Sequence, residues 1–194
     1  MLTFQSFSTF AKNKILIIGD SLSAGYGVEQ AHTWVQLLQN KYEENNQPII
    51  LINTAISGQT TDNALLKIDL WIKIHQPSHV LIELGGNDGI RGFPVKLIQK
   101  HLTELVTKSQ AQGAKVALME IQIPPNLGPR YSNMFVESYT QVAKKTNAYL
   151  MAYFMTEIAF DPTLMQNDNL HPNAKAQPII RDFMYGEIDK WLQY

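Results

Sequence analysis

Ser21 stands two residues past a short apolar run, in the stretch G-D-S-L-S-A-G-Y-G that ends at Gly27. A serine on a tight turn at the end of a buried strand can act as a nucleophile toward a carbonyl. Such a serine needs a base, and D-N-L-H-P-N, residues 168 to 173, offers His171 with Asp168 three residues before it. A carboxylate that close can fix the imidazole tautomer and stabilise the imidazolium. Two further stretches can supply hydrogen-bond donors to a developing oxyanion: S-G-Q-T-T, with the backbone N–H of Gly58, and G-G-N-D-G, with the side-chain amide of Asn87. Each of these sites also has a plainer reading. Ser21 can cap a helix, and Asp, Asn and Gly are ordinary turn residues. It is their conjunction that favours chemistry.

Other uses of the first stretch fit less well. A phosphate-binding loop requires G-x-x-x-x-G-K-[ST], and no lysine or arginine lies between Gly19 and Thr33. The spacing of Gly19, Gly25 and Gly27 does not match the dinucleotide fingerprint. Of the remaining histidines, His32, His75, His79 and His101 lie in or beside expected helices and strands, where packing or surface roles suffice.

The elements that must position these residues are written as short apolar runs separated by helix-period stretches. Strands are expected over Lys14–Gly19, Ile49–Asn53, Val80–Leu84, Val116–Glu120 and Tyr149–Tyr153. Helices are expected near Thr33–Glu44, Thr61–Ile74, Val95–Gln112 and Asn133–Lys145, with a last one ending near Trp191 and Pro178 in its first turn. Thr33 is a candidate N-cap, and Asp62 suits the positive end of the second helix. This alternation predicts an α/β three-layer sandwich on a parallel sheet, with ligands at the C-terminal edge of the strands. All four candidate stretches follow strands or precede the last helix, as that geometry requires.

The chain of 194 residues is expected to form a single domain, with residues 1–13 a leader or a flexible N-terminus. Its net charge of -1 gives no electrostatic case for nucleic acid. It has no cysteine, which excludes disulfides, thiolate metal sites and cysteine nucleophiles. No apolar run approaches the ~20 residues of a membrane span. The first residues, M-L-T-F-Q-S-F-S-T-F-A-K-N, lack a basic region before their hydrophobes and read as a poor signal peptide.

The four stretches, in this order and spacing, resemble the sequence blocks of the SGNH (GDSL-type) hydrolases, in the bacterial thioesterase I, lysophospholipase and arylesterase branch. The resemblance runs from Lys14 to Trp191, and I-P-P-N-L-G-P-R-Y, residues 123 to 131, is similar to the same branch. It implies a flavodoxin-like fold with a five-stranded parallel sheet. It implies Ser21 as nucleophile, His171 as base and Asp168 as its partner. The implied oxyanion hole consists of the N–H groups of Ser21 and Gly58 and the side chain of Asn87. Asn169 stands where the branch more usually has glycine, and asparagine also tolerates a left-handed backbone.

The implied activity is hydrolysis of acyl esters or thioesters, with no metal or cofactor and a small-molecule substrate. A carbohydrate O-deacetylase of the same superfamily and a catalytically silent α/β binding protein are the alternatives. Ile90, Phe93, Ile123 and Leu127 are candidates to line an acyl groove, while Arg91 and Arg130 read as solvated surface. The resemblance implies a periplasmic or secreted location. The weak leader leaves a cytoplasmic one as the alternative.

Overall fold

A computed structural model describes residues 13–124 and 127–194. Five parallel strands form one sheet: β1 (Asn13–Gly19), β2 (Ile49–Asn53), β3 (His79–Glu83), β4 (Lys115–Met119) and β5 (Tyr149–Met151). Their spatial order is β2-β1-β3-β4-β5. This is the expected flavodoxin-like arrangement, and Gly19 at the end of β1 pairs with Glu83 at the end of β3. Ile15 to Ile18 and Val80 to Ile82 are fully buried, as central strands covered on both faces must be.

The helices follow the crossovers. Helix α1 (Ser21–Ala24) is a single turn after β1, and α2 (Trp34–Glu44) leads to β2. Then come α3 (Thr61–Leu65), α4 (Ile68–His75), the short α5 (Gly86–Ile90) and α6 (Val95–Ala111). The chain ends with α7 (Pro129–Thr146), α8 (Met155–Ile158) and α9 (Gln177–Leu192). Right-handed crossovers place α2 and α9, which pack together, on one face of the sheet. They place α4, α6 and α7 on the other. Thr33 caps α2 through a bond from Gln36 N–H, Asp62 lies in the first turn of α3, and Pro178 lies in the first turn of α9.

Three boundaries differ from expectation. The stretch Thr61–Ile74 forms two helices, because Lys67 N–H turns back to Ala64 O at 3.0 Å in a tighter turn between them. Helix α7 starts at Pro129 rather than Asn133: Gly128 takes a positive φ of 85°, and Pro129 occupies the first turn, where a missing N–H costs nothing. Strand β5 stops at Met151, short of Tyr153. Residues 1–12, which hold most of the expected leader, and residues 125 and 126 of the I-P-P-N stretch lie outside the described residues.

The order of strands reverses direction between β1 and β3. Loops leaving those two strands diverge to opposite faces and leave a crevice at their C-terminal ends. Ser21 follows β1 there, and Asn87 follows β3.

Candidate active site

The turn that carries Ser21 is built on a buried carboxylate. Asp20 ends the strand run, and its Oδ1 accepts the Leu22 N–H at 3.0 Å, capping α1. Ser21, as the first helical residue, keeps a backbone N–H with no partner inside its own helix. Glu83, at the end of β3, is buried beneath this turn. Its Oε2 accepts the Asp20 N–H at 3.2 Å and the Ser23 hydroxyl at 2.8 Å. This contact accounts for serine at a position where the standard nucleophile elbow has glycine. It also accounts for Gly19, where a Cβ would stand 2.7 Å from Glu83 Oε2.

Burial sets the charge of this pair. It pushes Asp20 up to about 6, against the pull of the Leu22 and Asn87 hydrogen bonds and of the nearby His171. Glu83 is raised well above the ordinary carboxylate range by burial and by the Asp20 charge. Its Oε1 has no hydrogen-bond partner among the described residues.

The loop before α9 is organised differently. Asp168 Oδ1 accepts the N–H groups of Leu170 and His171, each at 3.0 Å, while Oδ2 takes His171 Nδ1 at 2.7 Å. The His171 bond first, then the two backbone donors, hold Asp168 down to about 2. Asn169 adopts the left-handed conformation, φ 53°, that closes so tight a loop. With Nδ1 donating to Asp168, the neutral ring leaves Nε2 as an acceptor, and Ser21 Oγ lies 2.9 Å from it.

The third wall comes from the loops after β2 and β3. Gly58 has φ 77°, and among the described residues no acceptor takes its N–H. Asn87 Nδ2 donates to Asp20 Oδ2 and to the Gln59 carbonyl, both at 3.1 Å. The two loops are locked together by Asp88. Its buried carboxylate accepts the Thr61 N–H at 3.0 Å and the Thr61 hydroxyl, which also meets His101 Nδ1 at 3.1 Å.

The structure therefore brings Ser21, Gly58, Asn87, Asp168 and His171 to one crevice. It separates the acyl-groove candidates. A cavity of about 210 Å³ beside Ser21 is lined by Ile90 and Ile123, but not by Phe93 or Leu127. Phe93 is partly buried against the core, and its carbonyl accepts the Tyr131 hydroxyl at 2.6 Å. Leu127 lies out by Gly92 and is partly exposed. Arg91, read as solvated, reaches the Gly58 carbonyl at 3.5 Å.

The GDSL-like lipase/acylhydrolase family matches residues 17–178, which span the whole crevice. The chain belongs to this family. Among its relatives is an arylesterase of Vibrio mimicus, 41% identical over 187 residues, covering 96% of this chain and 94% of the other. The thioesterase 1/protease 1/lysophospholipase L1 of Escherichia coli K12 is 39% identical over 96% of this chain and 88% of its own. A crystal structure of the psychrotrophic esterase EstA from Pseudoalteromonas sp., inhibited by monoethylphosphonate, superposes with a TM-score of 0.93. EstA is 59% identical, and the match covers 94% of this chain and all of EstA. Among the described residues, no helix of this GDSL-family chain is long and apolar enough to cross a membrane.

Sequence reasoning missed Glu83, Asp88, Gln59, Ser23 and Tyr26, whose ring lies 4.5 Å from that of His171. One signal was available for Glu83: it is a lone carboxylate closing the otherwise apolar run V-L-I-E. The others act through contacts with distant segments.

Proposed function

We propose that this ester and thioester hydrolase works as one domain through an acyl-enzyme on Ser21. The observation that carries this reading is the line of contacts from Asp168 Oδ2 through His171 to Ser21 Oγ, at 2.7 and 2.9 Å. His171 Nε2 takes the hydroxyl proton as Ser21 Oγ bonds to the carbonyl carbon. Asp168, ionised across the working range, stabilises the imidazolium. Negative charge gathers on the carbonyl oxygen, toward the N–H groups of Ser21 and Gly58 and the Asn87 amide. The carbon–oxygen or carbon–sulfur bond then breaks, and the leaving alcohol or thiol takes the proton from His171. Water, deprotonated by the same imidazole, releases the acid and restores Ser21. Both hydrogens of the Asn87 amide are engaged in the free site, so one of them must turn from Asp20 or Gln59 toward the oxyanion as charge develops.

The cavity supports short acyl chains. At about 210 Å³ it lies below the ~300–1,000 Å³ of drug-sized ligand sites. Ile90, Ile121 and Ile123 give it an apolar wall. The test is kcat/KM along p-nitrophenyl esters from acetyl to palmitoyl. The expected profile peaks at a short chain beyond acetyl and falls as the chain outgrows the cavity. An acetyl-only optimum would favour a deacetylase, and a long-chain optimum would contradict the size argument.

A further inference from the structure

The Ser21 turn and the His171 loop are separate pieces of chain, joined by the packing of the Tyr26 ring on His171 and by few hydrogen bonds. Among the described residues, only two hydrogen bonds join residues 19–28 to residues 165–173. One is the Ser21–His171 contact itself. The other runs from Gln166 Nε2 to the Tyr26 carbonyl at 2.7 Å.

Gln166 is well placed to link the two. Its backbone N–H donates to the His171 carbonyl at 2.8 Å, and its own carbonyl accepts the Asn169 N–H at 3.0 Å. Its side-chain amide donates to the Pro172 carbonyl at 3.0 Å as well as to Tyr26. Tyr26 N–H in turn donates to the Ser21 carbonyl at 3.0 Å. An unbroken path of hydrogen bonds thus connects the backbone of the nucleophile to the backbone of the base. Gly27 makes room for it: a Cβ there would stand 2.3 Å from Gln166 Oε1. We propose that Gln166 is a positioning residue that clasps the His171 loop to the Ser21 turn and keeps Nε2 within proton-transfer reach of Oγ. The clasp rests on the Ser21 reading above.

Asp168 and the backbone bonds of Gln166, which a side-chain substitution leaves in place, hold the loop together, so loss of the clasp leaves a folded loop free to slide. The expected result is a fall in kcat with KM unchanged. A displacement of about 1 Å costs on the order of a hundredfold. Two substitutions of Gln166 and one of Gly27 test this. Gln166→Ala removes the side chain. Gln166→Glu keeps its shape but points a carboxylate without donors at two carbonyl oxygens, and is expected to fall as far. Gly27→Ala drives the clasp apart from the other side, so adding Gln166→Ala to it should cost nothing more.

Parental kcat in Gln166→Glu, or a rise in KM at constant kcat, would overturn the clasp. So would losses that multiply in the Gly27→Ala, Gln166→Ala pair. Ser21→Ala is assayed beside them. If it too retains turnover, the nucleophile assignment fails. If it is dead while Gln166→Glu is fully active, only the clasp fails.

Discussion

The two aspartates of the crevice occupy opposite kinds of place. Asp20 lies in the oxyanion half, buried among strand ends, and is raised to about 6. Asp168 lies in the acid–base half, on a partly exposed loop, and is lowered to about 2. Burial dominates the first, and three hydrogen-bond donors dominate the second. The surrounding architecture differs in the same way. The oxyanion half is cross-tied between β1, β3, α3 and α5 through Glu83, Asp88 and Asn87. The acid–base half is held together within itself by Asp168. Donors that must meet a developing charge are thus fixed by the core, while the proton-carrying unit is a small local fold aimed at Ser21.

The largest effect is expected at the point where the halves meet. Ser21→Ala should lose essentially all turnover of a p-nitrophenyl ester, and a variant with measurable parental kcat would dissolve the comparison. Next, Asp168→Asn keeps the loop's shape but reverses the hydrogen at Nδ1, presenting the wrong tautomer to Ser21. A drop of about ten-thousandfold in kcat is expected. Steady-state kinetics showing a loss of only a few fold would mean that Asp168 merely shapes the loop.

On the other half, Asn87→Ala removes one oxyanion donor and should cost about a hundred- to thousandfold in kcat. Because the remaining donors are backbone groups, activity should survive above background. An unchanged rate would take Asn87 out of the hole.

The smallest effect is on stability, and its sign distinguishes the halves. Asp20 and Glu83 have raised pKa values in the folded chain, so the stability they contribute is present below the ordinary carboxylate range. The Asp20 share is lost as pH rises through about 6, and the Glu83 share is lost in the same direction as pH rises above the ordinary range. For Asp20 this amounts to roughly 3 kcal/mol. Asp168 has the opposite sign: its contribution is present above the ordinary range and is lost only as pH falls toward about 2. Between pH 5 and 8 the buried pair acts, and Asp88, also raised by burial, acts in the same direction. His79, lowered by burial, works against it in the same window, so the difference between variants is the useful quantity. Glu83→Gln should melt relatively higher than the parent at pH 8 than at pH 5. Parallel melting curves across that range would show that Glu83 is not held above the ordinary carboxylate range in the folded chain.

Much of this contrast was legible in the sequence, and the illegible part has a physical reason. Central strands advertise themselves as apolar runs because both faces are covered, so β1 to β4 fell within a residue of expectation at either end. Ser21, Asn87 and the Asp168–His171 pair lie in short loops at strand or helix boundaries, where residue type and position alone suggest a role. The supports are different. Glu83 meets Ser23 across 60 positions, and Gln166 meets Tyr26 across 140. No local pattern encodes such contacts. Phe93 and Leu127 misled for the same reason: both are apolar near the site, yet one turns toward the core and the other outward. Pro129 was the missed local signal, since Gly-Pro marks the start of α7.

The central claim, that Ser21 is a nucleophile served by His171, is tested most directly by a fluorophosphonate probe followed by mass spectrometry of the labelled peptide. A single adduct on Ser21 is expected, absent in Ser21→Ala and formed far more slowly in His171→Ala. Labelling of Ser21→Ala at the parental rate, or an adduct carried by another residue, would contradict the account.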